Sequence, residues 1–126
     1  MTAGLTVQQV LDIHEHLLSL DGGRPGVKDL GSLESALAQP VLEIFGVLRY
    51  SNPISQAGAY LYYLARGHAF EDGNKRTATA VMLLWLKLHG HTVVATDGMV
   101  EELAVQVVVE SDPWPTIDTF MSLFVN

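Results

Sequence analysis

Between positions 66 and 76 the chain gathers His68, Asp72, Asn74 and three of its seven Lys and Arg residues, Arg66, Lys75 and Arg76. That mixture suits phosphoryl chemistry, which needs a positioned nucleophile, neutralised leaving oxygens and usually a magnesium ion. His68 is the one side chain in this loop able to take a hydroxyl proton near pH 7. Asp72, four residues on, could hold magnesium, which prefers one or two carboxylates plus phosphate oxygens. Gly73 permits a positive φ or a close approach of backbone to phosphate. Asn74, Lys75 and Arg76 offer donors to phosphate oxygens. Plainer roles compete with each of these: a structural histidine at a helix end, an N-cap at Asp72, a turn at Gly73. Phe70 reads as the anchor of the loop in the core.

The loop opens a helix. Ala80 to Leu86 is an unbroken run of seven apolar residues, and Lys87 and Gly90 mark its exit. A helix apolar all round belongs at the centre of a fold. Its N-terminus, positive by virtue of free N–H groups and the macrodipole, normally collects acidic residues. Lys75 and Arg76 stand there instead, unfavourable by about 0.3–1 kcal/mol each. The mismatch vanishes if an anion such as phosphate sits on that end. Otherwise both side chains point into solvent.

The remaining composition narrows the setting. A chain of 126 residues, 48% apolar, suits one domain (1–126) with a real core. It has no cysteine, which excludes disulfides, thiolate chemistry and Cys-based zinc sites. The opening MTAGLTVQQV shows no secretory pattern, and the longest apolar run is far below the ~20 residues of a membrane span. A net charge of −7 argues against nucleic-acid binding, which relies on a basic face. The expectation is a soluble, cytoplasmic protein that uses its few cations locally, on a small phosphate ligand.

The elements that must position the loop read as helices. Thr6-Val-Gln-Gln9 has capping-box form and predicts a helix over about Val7–Leu20. Asp21 to Gly26 is turn-rich. Ser32 is the expected cap of a short helix from Leu33, stopped or bent at Pro40. Val41–Arg49 reads as another helical piece. Asn52-Pro53 opens a helix to about Arg66. Gly90 is the expected C-cap of the central helix, followed by an extended piece over His91–Thr96. Asp97 is expected to cap a helix through Glu110, and Pro113-Trp-Pro115 to open a last one. The sum is five to seven helices with no sheet: an all-α domain around a buried central helix. Other motifs fail on spacing. Gly67 and Gly73 are wrongly spaced for a P-loop, and His14-Glu-His16 has Leu18 where a second zinc ligand would stand.

HAFEDGNKRTA, starting at His68, resembles the signature loop of the Fic/Doc family, HxFx(D/E)GN(G/K)R. Lysine after the asparagine resembles the Doc branch, the death-on-curing toxins of toxin–antitoxin pairs. Gly22-Gly-Arg-Pro-Gly-Val-Lys-Asp29 and Leu33-Glu-Ser-Ala-Leu37 are similar to Doc segments too, so the resemblance covers nearly the whole chain. It implies a Fic/Doc helical fold, His68 as general base for a target hydroxyl, Asp72 as the magnesium ligand, and Asn74 and Arg76 on phosphates. It also implies that Arg66 lies near the nucleotide.

Most Fic enzymes transfer AMP from ATP. The Doc branch binds ATP reversed and transfers its γ-phosphate to a threonine of elongation factor Tu. Lys75 in place of a second glycine, and Thr79 in place of a second arginine, both follow Doc; Gly73, where Doc carries alanine, does not. The resemblance therefore implies a toxin-type kinase that blocks translation, with AMP transfer or a catalytically silent antitoxin-binding domain as alternatives. No glutamate is followed by Gly or Asn, so the family's self-inhibitory motif (S/T)xxxE(G/N) is missing. Control is then expected from a separate, Phd-like, partly disordered antitoxin that folds a helix against the toxin.

Overall fold

The computed structural model describes residues 3–126, and six α-helices make up most of them. Met1 and Thr2, which open the expected domain, lie outside the described residues. The first helix, α1 (Val7–Asp21), starts on the expected capping box: Thr6 Oγ1 accepts from the Gln9 N–H at 3.1 Å, and Gln9 Oε1 accepts from the Thr6 N–H at 2.8 Å. α2 (Leu30–Ala38) begins earlier than expected, because Asp29 is its cap and accepts from the Ser32 N–H at 3.0 Å. The Ser32 hydroxyl is drawn instead to Gly67 O, at 2.7 Å. Pro40 sits in a single 3-10 turn, Gln39–Val41, that ends this helix.

The expected helical piece at Val41–Arg49 is a hairpin, so the chain does contain a small sheet. β1 (Glu43–Ile44) pairs antiparallel with β2 (Val47–Leu48). Phe45 and Gly46 between them have φ of +51° and +78°. Two positive φ values are the geometry of a type I′ turn, which matches the twist of paired strands.

α3 (Pro53–Arg66) opens as expected on Asn52, whose Oδ1 accepts from the Ser55 N–H at 2.9 Å. α4 (Asn74–Leu88) closes through Gly90 at φ +80°, where the His91 N–H donates to Leu86 O (2.9 Å) and the Gly90 N–H to Lys87 O (3.1 Å). That pair of bonds satisfies carbonyls the helix end leaves over. α5 (Asp97–Val109) is capped by Thr96, not Asp97, with Thr96 Oγ1 accepting from the Met99 N–H at 3.2 Å. The extended piece before it pairs with the chain end through a Val93–Val125 bridge. α6 (Trp114–Phe124) buries Ile117, Phe120 and Met121.

α3 and α4 form the centre, with α1 and α5 against α4, and α2, α5 and α6 against α3. The helix enclosed most completely is α3, buried without a break from Gln56 to Leu61. Its small residues permit this: a Cβ at Gly58 would come 2.8 Å from Ile117 Cγ2. α4 is less enclosed than its apolar run suggests, since Ala80, Leu83 and Leu84 are half-buried and Leu88 is exposed. Three flanking helices leave one stripe of it partly open. Among the described residues no helix is long and apolar enough to cross a membrane.

Candidate functional site

The loop between α3 and α4 is tied down from three sides. Asn74 fastens it to itself: its Oδ1 accepts from the Phe70 N–H (3.0 Å) and its Nδ2 donates to Phe70 O (2.9 Å). The segment between α1 and α2 runs antiparallel beside it, bridging Val27 to Phe70, with the Lys28 N–H on Ala69 O (2.8 Å) and the Glu71 N–H on Gly26 O (3.1 Å). From α1, the buried ring of His14 stacks on Phe70 at 3.8 Å and 9°, and His14 Nε2 lies 2.8 Å from Asp72 O. Phe70 itself is buried, as expected of an anchor.

Within this frame two loop residues are left-handed, Gly73 at φ +77° and His68 at φ +50°. Glycine adopts this freely, whereas a residue with a Cβ is strained by roughly 1–2 kcal/mol. The strain at His68 is offset by the loop's hydrogen bonds, and its side chain is left exposed. Gly73 is also the N-cap of α4 and supplies no capping side chain. The first helical bond there is from the Thr77 N–H to Gly73 O, at 2.9 Å. The N–H groups of Asn74, Lys75 and Arg76 therefore precede the helical ladder. An open helix N-terminus of this kind has the donors and the partial positive charge to suit an anion.

Over that end lies a cavity of about 230 Å³ lined by His68, Glu71, Asp72, Lys75 and Arg76, with Ala65 and Val108 as its apolar wall. A larger cavity of about 700 Å³ lies between α5 and α6, but no His, Lys or Arg lines it. Of the two, the smaller one has the histidine and the cations that phosphoryl chemistry needs. Asp72 Oδ2 accepts from the Arg24 N–H (3.1 Å) and Oδ1 from the Gly73 N–H (2.9 Å). Those bonds, Arg24's first, hold the Asp72 carboxyl below the usual carboxylate range, and the Arg24 and Arg76 charges add to the effect. Arg76 pairs with Asp21 at 3.3 Å and donates from Nη2 to Gly22 O at 3.1 Å.

The structure thus brings His68, Asp72, Gly73, Asn74, Lys75 and Arg76 around one cavity. It does not bring Arg66 there. Arg66 Nη1 donates to Val107 O (3.0 Å) and Glu110 O (2.8 Å), and its guanidinium lies 5.3 Å from the Tyr62 ring centre. The reason is the end of α5, whose last carbonyls have no helical donor and take one from α3. Asn74 differs from expectation in part, since its amide is committed to Phe70 and its backbone N–H is what it offers an anion. Asp72 does not cap α4, because Gly73 holds that position. Sequence reasoning missed His14, the Arg24 N–H and Val108. The turn-rich Gly22–Gly26 stretch signalled a loop, but nothing in its spacing shows which loop it meets.

Comparison with known sequences settles the lineage. A family profile described as the Fic/DOC family matches residues 4–86, well over half of the chain. The chain belongs to the Fic/Doc family. It is 42% identical over 74 residues to the protein named Toxin Doc of Mycolicibacterium smegmatis, covering 59% of this chain and 57% of that one. It is 30% identical over 86 residues to the protein named Protein kinase doc of Escherichia phage P1, covering 68% of each. The match to the mycobacterial protein thus spans less than two thirds of that relative's length.

The Fic/Doc match takes in the signature loop and the Gly22–Asp29 segment beside it, while α5, which supplies Val108, lies beyond it. Among the described residues no three His, Asp or Glu side chains gather as a metal cluster. A cation at this Fic/Doc site would have Asp72 as its carboxylate, with waters and phosphate oxygens completing the shell. Magnesium accepts that arrangement. Each Asp72 oxygen receives one N–H bond and retains a further lone pair, so the residue fits the ion.

Proposed function

We propose that this chain is a Doc-type toxin kinase, one domain over 1–126, which moves the γ-phosphate of ATP to a threonine of an elongation factor Tu-like translation factor in the cytoplasm. One observation carries the reading. An exposed histidine in a strained left-handed conformation stands on the rim of a cavity whose floor is an open helix N-terminus, with Asp72, Lys75 and Arg76 around it. Strain of that kind persists where the surrounding structure is arranged to hold a side chain in place.

In this reading His68 takes the proton of the threonine hydroxyl. The freed oxygen bonds to the γ-phosphorus as the bond from that phosphorus to the β–γ bridging oxygen breaks, leaving ADP. The α4 N–H groups, Lys75 and Arg76 stabilise the phosphate oxygens. Magnesium, when bound at Asp72, would add positive charge on those oxygens. Lys75 favours the γ-phosphate. It is exposed at the start of α4, beside both this cavity and an adjoining one that Arg76 and Thr79 also line. Two cations there suit the diphosphate left behind when the γ-phosphoryl leaves.

ATP labelled at the γ or the α position, incubated with the protein, magnesium and elongation factor Tu, separates the possibilities. Label from the γ position alone is expected. Label from the α position would make the chain an AMP transferase, and none from either would make it a binding domain. A Phd-like, partly disordered antitoxin is the proposed partner. It is expected to co-purify with the chain and to abolish transfer.

A further inference from the structure

We propose that His14 is a positioning residue for Asp72, an inference that rests on the proposed role of Asp72 as the cation's carboxylate. Three polar side chains are buried among the described residues: His14, Gln56 and Thr77. Gln56 serves the core, accepting from Trp85 Nε1 at 3.2 Å and donating to Tyr50 O at 3.2 Å. The Thr77 hydroxyl has no partner among the described residues. Of the three, His14 reaches the site loop.

Its contact falls on one particular peptide. A carbonyl oxygen only accepts, so His14 Nε2 carries the proton it gives to Asp72 O at 2.8 Å. That oxygen belongs to the Asp72–Gly73 peptide, and the N–H of the same peptide donates to Asp72's own Oδ1 at 2.9 Å. One peptide plane is thus held at its oxygen by His14 and holds the carboxylate through its nitrogen. The Arg24 N–H fixes the other carboxylate oxygen at 3.1 Å. Stacking on Phe70 at 3.8 Å sets the ring's height. A Cβ at Gly73 would sit 3.6 Å from both Cδ2 and Nε2 of His14, so the ring also lies against the left-handed turn. A plain core aromatic would fill this space equally well but could not fix the peptide. Losing a group that orients a metal ligand in this manner commonly costs about 10–100-fold in ion affinity.

Two variants divide the bond from the stack. His14→Phe keeps an aromatic ring on Phe70 and loses the donor; His14→Gln loses the ring and keeps an N–H. Amide hydrogen exchange at Gly73 and Arg24, whose N–H groups hold the Asp72 carboxylate, reads its position without any activity. Magnesium-dependent binding of ADP reads the consequence. In His14→Phe both amides are expected to exchange roughly tenfold faster while the core amides of α4 stay protected. Half-saturating magnesium is expected to rise roughly tenfold or more, and His14→Gln to restore most of both. Unchanged exchange at the two amides in His14→Phe would overturn the proposal, as would equal losses in both variants. If the unaltered protein binds no ADP with magnesium, the cation role of Asp72 falls, while the exchange measurement still decides whether His14 fixes its carboxylate.

Discussion

At the scale of single residues the site is a set of side chains denied their ordinary comforts. His68 occupies backbone space better suited to asparagine or glycine, at φ +50°. Asparagine tolerates that conformation, so His68→Asn should unfold at or above the unaltered protein's denaturant midpoint. It should also lose about 10²–10⁴ in transfer rate, the usual contribution of a general base. A folded His68→Asn protein retaining more than about a tenth of the activity would remove His68 from the chemistry. Asp72 yields a prediction about acid. Its folded carboxyl titrates below the ordinary range, with the Arg24 N–H as the leading cause. The stabilisation it gives is therefore present above the ordinary carboxylate range and lost as pH falls through the depressed folded value. Asp72→Asn should flatten that acid-side loss of loop stability, followed by the Arg24 amide exchange rate. At limiting magnesium the same variant should lose turnover, because Asn lacks the charge that a carboxylate brings to a cation.

At the scale of elements, what could be read from sequence depended on whether the signal was local. The Thr6–Gln9 box, the Asn52-Pro53 start and the Gly90 exit each act within a few residues and stand where expected. The hairpin at Glu43–Leu48 hid because its strands are two residues each and its turn is Phe45-Gly46, without the Asn-Gly or Asp-Gly that marks such turns. Asp29 outcompeted Ser32 as a cap since the serine hydroxyl had a distant use on Gly67. The polar groups of the site were legible because most sit in one loop. His14 was not, being 58 residues from its partner in sequence. Arg66 shows the opposite case: two positions from His68 in the chain, it donates to the last carbonyls of α5. Arg66→Met, which keeps an aliphatic stem beside Tyr62, should cost about 2 kcal/mol through the lost charged hydrogen bonds, measured by urea denaturation. Full stability with lost nucleotide binding would return Arg66 to the nucleotide.

At the scale of the molecule, the part matched to the family ends at Leu86, yet the fold does not. Leu103 and Val107 of α5 and Ile117 of α6 belong to the same buried cluster as Tyr60 and Val81. A fragment ending at Leu88 holds every proposed polar residue of the site and should still fail to fold, showing neither a cooperative melt nor protected amides. A cooperative transition from that fragment would mean that α3 and α4 need less cover than their burial implies. The loop's supports also have an order in time. Arg24, on whose N–H the carboxylate of Asp72 depends, is made 48 residues before it, and Arg66 waits another 44 residues for Glu110. During synthesis α1 and its following turn leave the ribosome with nothing to hold, and the loop follows before the helix that anchors its neighbour exists. A chain stalled or cut short before Glu110 therefore carries the signature without the finished site. The proposed transfer therefore waits until α5 has been made and has closed the cavity with Val108.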